Sequence, residues 1–128
     1  MKPHTKYPEV NNYVNGGFTS NGRKRLEVLC PLDGCMISSV PLSNKGDLDK
    51  AVKSAKNAFP EWSEMPVKER VQVFFRYKSL LEKHLQDLAL LVHEENGKTI
   101  GEATAEVEKS IELTEFACSM PQLISGEC

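Results

Sequence analysis

The segment EENGKTIGEA, Glu94 to Ala103, holds Gly97-Lys98-Thr99, the residue types that close a phosphate-binding loop. In such a loop, backbone N–H groups cradle the phosphates, the lysine supplies charge and the threonine hydroxyl reaches a magnesium ion. The pattern also needs a glycine five positions before Gly97, where Val92 stands, and a strand leading into the loop. The residues that lead in, LQDLALLVHEEN, place Leu85, Leu88 and Val92 at helical spacing instead. Gly97 therefore reads as the left-handed residue that closes a helix C-terminus at little steric cost.

The remaining reactive side chains are scattered. Cys30 and Cys35 have four residues between them, the loose limit of a zinc spacing, and no second Cys or His pair follows at a matching distance. A disulfide across that turn is the alternative to the reduced pair that a cytoplasmic setting makes the default. Cys118 lies mid-stripe on a helical pattern as a small apolar residue, and Cys128 stands at the end of the given sequence. His84 and His93 are nine positions apart and do not share a helix face at ligand spacing; His4 precedes any patterned segment. Glu94 and Glu95 are adjacent and diverge on a helix, which suits no paired acid–base role. Glu102, Glu106 and Lys109 are spaced for surface ion pairing. There is no Gly-x-Gly-x-x-Gly motif. These residues on their own describe an α+β segment without a self-contained active site.

The elements around them follow from period and punctuation. Residues 1–10, with Pro3 and Pro8, read as an extended arm. Short strands are expected over 11–42: one around Tyr13 and Val14, with Asn15-Gly16-Gly17 as turn chemistry, one over KRLEVLCP, and one over CMISSVPL after the turn Pro31–Gly34. From Ser43 the period becomes helical. A first helix is expected over about 45–59, with Leu48, Ala51, Val52, Ala55, Ala58 and Phe59 on one face, capped by Ser43, Asn44 or Asp47 and ended by Pro60. A second is expected over 66–96, up to the Gly97 cap, and a third over 99–120, ended by Pro121.

The chain has 128 residues and a net charge of −2, which offers no general attraction to nucleic acid or an anionic membrane. The charge is uneven. From Glu94 onward there are eight acidic residues against Lys98 and Lys109, a net of −6, leaving +4 on the first 93 residues. An acidic helical end is a solvated face, not a nucleic-acid surface. No apolar run is long enough to span a bilayer, and MKPHTKYPEV has no signal-peptide core; a cytoplasmic setting is expected, or a mitochondrial matrix after processing.

The order of these signals resembles one family. NYVNGGF, then CPLDGCMISSVPLSNKGDLDKAVKSAKNAFPEWSEMPVKERVQVFFRYKSLLEKHLQDLALLVHEENGKTIGEA, is similar to the N-terminal part of the NAD(P)-dependent aldehyde dehydrogenases. The resemblance runs from about Asn11 to Cys118. ELTEFACSMPQLISGE, Glu112 to Glu127, further resembles the methylmalonate-semialdehyde dehydrogenase branch, which forms acyl-CoA products. It implies an α/β, aldehyde dehydrogenase-like fold, of which residues 11–128 form the N-terminal part of the cofactor-binding domain before the Rossmann-type core. It implies that the parent enzyme uses NAD, with CoA as a possible co-substrate, on a small aldehyde, through a cysteine thiohemiacetal, as a homo-dimer or tetramer. Catalytic and cofactor-binding residues are expected to be absent from this chain, because none of its cysteines matches the nucleophile motif; the chain is expected to be an inactive N-terminal fragment.

Two residues carry family roles by the same resemblance. Lys109 falls on the helix where the branch keeps an arginine for the substrate carboxylate; the alternative is a surface lysine paired with Glu102, Glu106 or Glu112. A lysine keeps the charge and loses the bidentate fork. Glu95 matches a position that in some relatives helps hold a structural monovalent cation; the alternative is a solvated helix-end carboxylate. The family also makes Glu94–Lys98 a helix-to-helix corner. A second function class remains open, a non-catalytic folding or assembly module that docks on another chain.

Overall fold

Asn15-Gly16 supplies two consecutive residues with positive φ, 54° and 77°, which is what a two-residue hairpin turn demands. It joins β1 (Asn12–Val14) to β2 (Gly17–Thr19), antiparallel with Tyr13 opposite Phe18. Those two rings meet edge to face at 5.0 Å, the geometry aromatic quadrupoles prefer. The computed structural model describes residues 5–19 and 24–124. His4 and Cys128 lie outside the described residues, as do residues 1–3 of the expected arm.

A second hairpin pairs β3 (Arg25–Leu29) with β4 (Met36–Pro41), antiparallel, with a register shift between Val28 and Leu29. The Ile37, Ser38 and Ser39 stretch of β4 is buried. The two buried serine hydroxyls of β4 are paired, as burial requires. The arm runs alongside: Tyr7 N–H donates to the Ile37 carbonyl and Val10 N–H to the Ser39 carbonyl, each at 2.9 Å. Ser38 Oγ donates to the Pro8 carbonyl at 2.7 Å. Arg25 fixes the arrangement from the other strand. Its Nε donates to Ser39 Oγ at 2.8 Å, Nη2 to the Ser39 carbonyl at 2.9 Å and Nη1 to Asn11 Oδ1 at 3.1 Å. Five fixed donors in one plane suit a cation that must hold two segments at once.

The helix α1 spans Lys45–Glu64. Asn44 and Asp47 cap it reciprocally: Asp47 N–H donates to Asn44 Oδ1 at 3.1 Å and Asn44 N–H to Asp47 Oδ2 at 2.9 Å. The expected stop at Phe59 is corrected here, since the helix runs through Pro60 to Glu64. Proline removes one i→i−4 bond, the one that would reach Lys56, an exposed residue on the solvent side of the helix.

Residues expected as one helix over 66–96 form two, α2 (Val67–Lys83) and α3 (Leu85–Asn96). The break is His84 alone, at φ −107° and ψ 18°. Hydrogen bonding carries across it, from His84 N–H to the Leu80 carbonyl and from Leu88 N–H to the His84 carbonyl. The apolar spacing therefore continues across the break, and neither proline nor glycine marks it. The third expected helix is α4 (Ile100–Cys118), followed by a single turn, α5 (Met120–Leu123). Pro121 does not end α4; it sits in the first turn of α5, where its missing N–H has no intrahelical partner to lose.

The chain divides into two compact units, Met1–Glu61 and Trp62–Cys128. In the second, α4 packs against both α2 and α3. Its core is Ala89, Ala103 and Val107, with Leu85, Leu88, Val92 and Ile111 packed on them. Ala89 and Ala103 have no exposed surface. Two alanines at the crossing let the helices approach closely, so a larger side chain has no space. Ala103→Leu is expected to destabilise the protein by about 1–3 kcal/mol, the usual penalty of overpacking, as a lower denaturation midpoint. Ala103→Gly, which keeps the approach open, is expected to lose less.

A helix corner and a dispersed set of candidate side chains

The Gly97-Lys98-Thr99 segment joins α3 to α4, so a helix and not a strand leads into it. Gly97 takes the left-handed conformation, φ 71°, and its N–H donates to the His93 carbonyl at 2.9 Å, closing α3. Two residues later Thr99 opens α4. Thr99 Oγ1 accepts from Glu102 N–H at 3.3 Å, and Glu102 Oε2 accepts from Thr99 N–H at 3.0 Å. This is a capping box, two otherwise orphaned donors satisfied reciprocally. The spacing Thr-x-x-Glu is the signal that identifies it in the sequence. Lys98, the residue that would meet a phosphate, is instead paired with Glu106. His93 Nδ1 donates to the Lys98 carbonyl. Each group with phosphate-loop chemistry thus has a structural partner within the corner.

Electrostatics here are local. The Thr99 hydroxyl, then the Thr99 N–H and the Lys98 charge, hold the Glu102 carboxyl below the usual carboxylate range. Lys78 on α2 reaches Glu82 at 3.0 Å and Glu115 of α4 at 3.4 Å, joining the two helices. Its hydrogen bond to Glu82, followed by that to Glu115, raises its pKa.

Lys109 is exposed midway along α4, with Nζ 2.7 Å from Glu112 Oε2, three residues on. Of the three acidic partners considered in the sequence, Glu112 is the one it meets. Glu95 is exposed in the last turn of α3, whereas its neighbour Glu94 is buried. His84 Nδ1 lies 3.4 Å from Asp87 Oδ2 and His93 sits at the corner, so the two histidines serve separate places. Among the described residues, no three His, Cys, Asp or Glu side chains group as a metal site. No helix among them is long and apolar enough to cross a membrane. In the first unit, an open cleft of about 610 Å³ lies between the β1–β2 hairpin and α1, with Lys50 and Lys53 beside Asp47.

Cys30 is buried, Cys35 exposed and Cys118 half-buried, all as free thiols. Cys30 and Cys35 close the β3–β4 hairpin, Cys30 N–H donating to the Cys35 carbonyl at 2.9 Å. Asp33, between them, does more than form part of the Pro31–Gly34 turn. Its Oδ1 accepts from Cys35 N–H at 2.9 Å. That bond first, and the thiols of Cys30 and Cys35 after it, hold the Asp33 carboxyl below its usual range.

Residues 18–128 match the aldehyde dehydrogenase family, and the chain belongs to it. Malonate-semialdehyde dehydrogenase 1 of Geobacillus kaustophilus is 42% identical over 127 residues, 98% of this chain and 26% of that enzyme. The crystal structure of methylmalonate-semialdehyde dehydrogenase from Oceanimonas doudoroffii superposes with a TM-score of 0.89 at 31% identity, covering 94% of this chain and 25% of the other. A proposed methylmalonate-semialdehyde dehydrogenase from Sinorhizobium meliloti, crystallised with NAD, gives a TM-score of 0.88 at 28% identity, covering 98% of this chain and 26% of the other. The fold is thus that of the aldehyde dehydrogenases. The chain spans about a quarter of the length of these relatives.

The capping box predicts a pH dependence. Glu102 has a folded pKa below its unfolded value, so its contribution is full above the unfolded value, roughly 4.3, and is lost as pH falls through the folded one. Thr99→Ala removes the first cause of that depression, and loss of a threonine N-cap costs about 1 kcal/mol. The stability gap between wild type and Thr99→Ala, from denaturation midpoints, is expected to hold steady at neutral pH and to narrow below roughly pH 4.3. A gap that stays constant into strong acid would contradict the reciprocal box.

Proposed function

We propose that this chain is the N-terminal part of an NAD-dependent aldehyde dehydrogenase acting on malonate or methylmalonate semialdehyde. The observation that carries the reading is the 42% identity to a malonate-semialdehyde dehydrogenase across 98% of this chain. The likeness in fold to methylmalonate-semialdehyde dehydrogenases supports it. The reaction is oxidation of the aldehyde as a cysteine thiohemiacetal, with hydride passed to NAD and the acyl group released to CoA or water. The residues here provide neither a nucleophile with an adjacent base nor a glycine-rich dinucleotide turn. Nucleophile and cofactor are therefore assigned to the rest of a longer, oligomeric polypeptide, and residues 5–124 to its framework.

Within that enzyme, Lys109 is assigned to the substrate carboxylate and Glu95 to a structural monovalent cation. Lys109 is available because its partner Glu112 is an exposed i,i+3 contact, of the kind worth only a few tenths of a kcal/mol. A second reading, a non-catalytic module docking on another chain, draws on the exposed apolar side chains of α1 and α2. The reading frame downstream of codon 128 separates the two: a continuing aldehyde dehydrogenase frame supports the enzyme, and a stop codon supports the module.

The 128-residue chain alone is expected to form no NADH from any aldehyde, whereas the complete enzyme forms NADH from malonate semialdehyde. In the complete enzyme, Lys109→Ala is expected to raise KM for the carboxylated aldehyde by roughly tenfold, the loss of one charge-assisted hydrogen bond, and to leave an uncharged aldehyde unaffected. Equal effects on both substrates would remove Lys109 from the substrate site.

A further inference from the structure

We propose that Cys30 and Cys35 form a thiol-oxidation site, closed to an intrahairpin disulfide by a peroxide. Three observations place the sulfurs in register. Leu29 pairs with Met36, so Cys30 and Cys35 are the next opposed residues of the ladder. Cys30 N–H donates to the Cys35 carbonyl at 2.9 Å, and Gly34 N–H donates to the Cys30 carbonyl at 2.8 Å, which closes the loop tightly. Opposed residues of an antiparallel pair project to the same face with Cβ atoms about 4.5–5.5 Å apart and Cα atoms about 5.5 Å apart when hydrogen-bonded. A disulfide needs Cα atoms roughly 4.4–6.8 Å apart and Cβ atoms close to 4 Å. The pair shares one ladder bond, Cys30 N–H to the Cys35 carbonyl, while Cys35 N–H turns to Asp33; the spacing usual for opposed residues falls in the first range and near the second, so closure calls for local adjustment at the turn.

Exposure sets the order of events. Cys35 is open to solvent and Cys30 is buried, so the oxidant meets Cys35. The Cys35 thiolate attacks one peroxide oxygen; an S–O bond forms, the O–O bond breaks and hydroxide leaves, taking up a proton as water. The Cys30 sulfur then attacks the Cys35 sulfenic sulfur; the S–S bond forms, the S–O bond breaks, and the hydroxyl leaves with the Cys30 proton as a second water. Two thiols are oxidised by one electron each and the peroxide is reduced by two. Asp33 restrains the first step, because its charge, the largest influence on Cys35, raises the thiol pKa and keeps it protonated. A smaller thiolate fraction slows that first attack.

The test is peptide mass mapping of the complete protein after hydrogen peroxide and alkylation. The expected result is one peptide spanning residues 30–35, lighter by two hydrogens, with neither cysteine alkylated. The same product is expected in Cys118→Ser. In Cys30→Ser the disulfide disappears and Cys35 is trapped by dimedone as the sulfenic acid. Asp33→Asn is expected to form the wild-type disulfide faster. The proposal is overturned if both cysteines stay alkylatable after peroxide has modified Cys118, or if Cys35 is found linked to a different thiol.

Discussion

Ala89 and Ala103, without exposed surface, fix how closely α3 and α4 approach, and much of the second unit follows from that contact. A short corner joins these two helices, and it must satisfy the last carbonyls of one and the first N–H groups of the next. Gly97 does the first through its left-handed conformation, and Thr99 with Glu102 does the second. Lys98 and Glu106 then pair alongside. Residue types that elsewhere bind nucleotides are here consumed by a change of direction. The same helix that the corner starts carries Lys109 on its exposed side, so the orientation of α4 decides where that charge is presented.

The first unit depends on a different device. It has few buried apolar side chains, Cys30 and Ile37 among them, so hydrogen bonds do more of the work. Arg25 reaches Asn11 on the arm and Ser39 on β4 together. Removing a guanidinium with several partners leaves each of them unsatisfied. The turn closed by Cys30 and Cys35 is the opposite end of the same ladder. Its geometry is set by backbone bonds before any thiol chemistry takes place.

Much of this was legible. The change from period two to period 3.6 after Ser43 separated strands from helices, and Val92 in place of a glycine ruled out the phosphate loop. The ordered motifs gave the family, which the match over residues 18–128 bears out. The misses have physical causes. Pro60 reads as a helix end in the sequence, yet an exposed helix loses only one bond to it and continues. The His84 break left the apolar spacing intact, so a pattern of side chains could not reveal it. Arg25 bridges residues far apart in sequence, a contact no local window contains. Asp33 between the two cysteines was read as turn chemistry alone.

The proposed function makes this segment one part of a longer polypeptide. Among the described residues, α1 buries no side chain, and Leu48, Val52, Phe59, Phe74, Phe75 and Phe116 are exposed. Apolar surface of this extent promotes association when nothing covers it. Size-exclusion chromatography with light scattering on the 128-residue chain tests this directly. The account predicts assemblies heavier than the 14.3 kDa monomer, or an expanded species without cooperative unfolding. A sharp peak at 14.3 kDa that unfolds cooperatively would contradict it, because the segment would then close its own core.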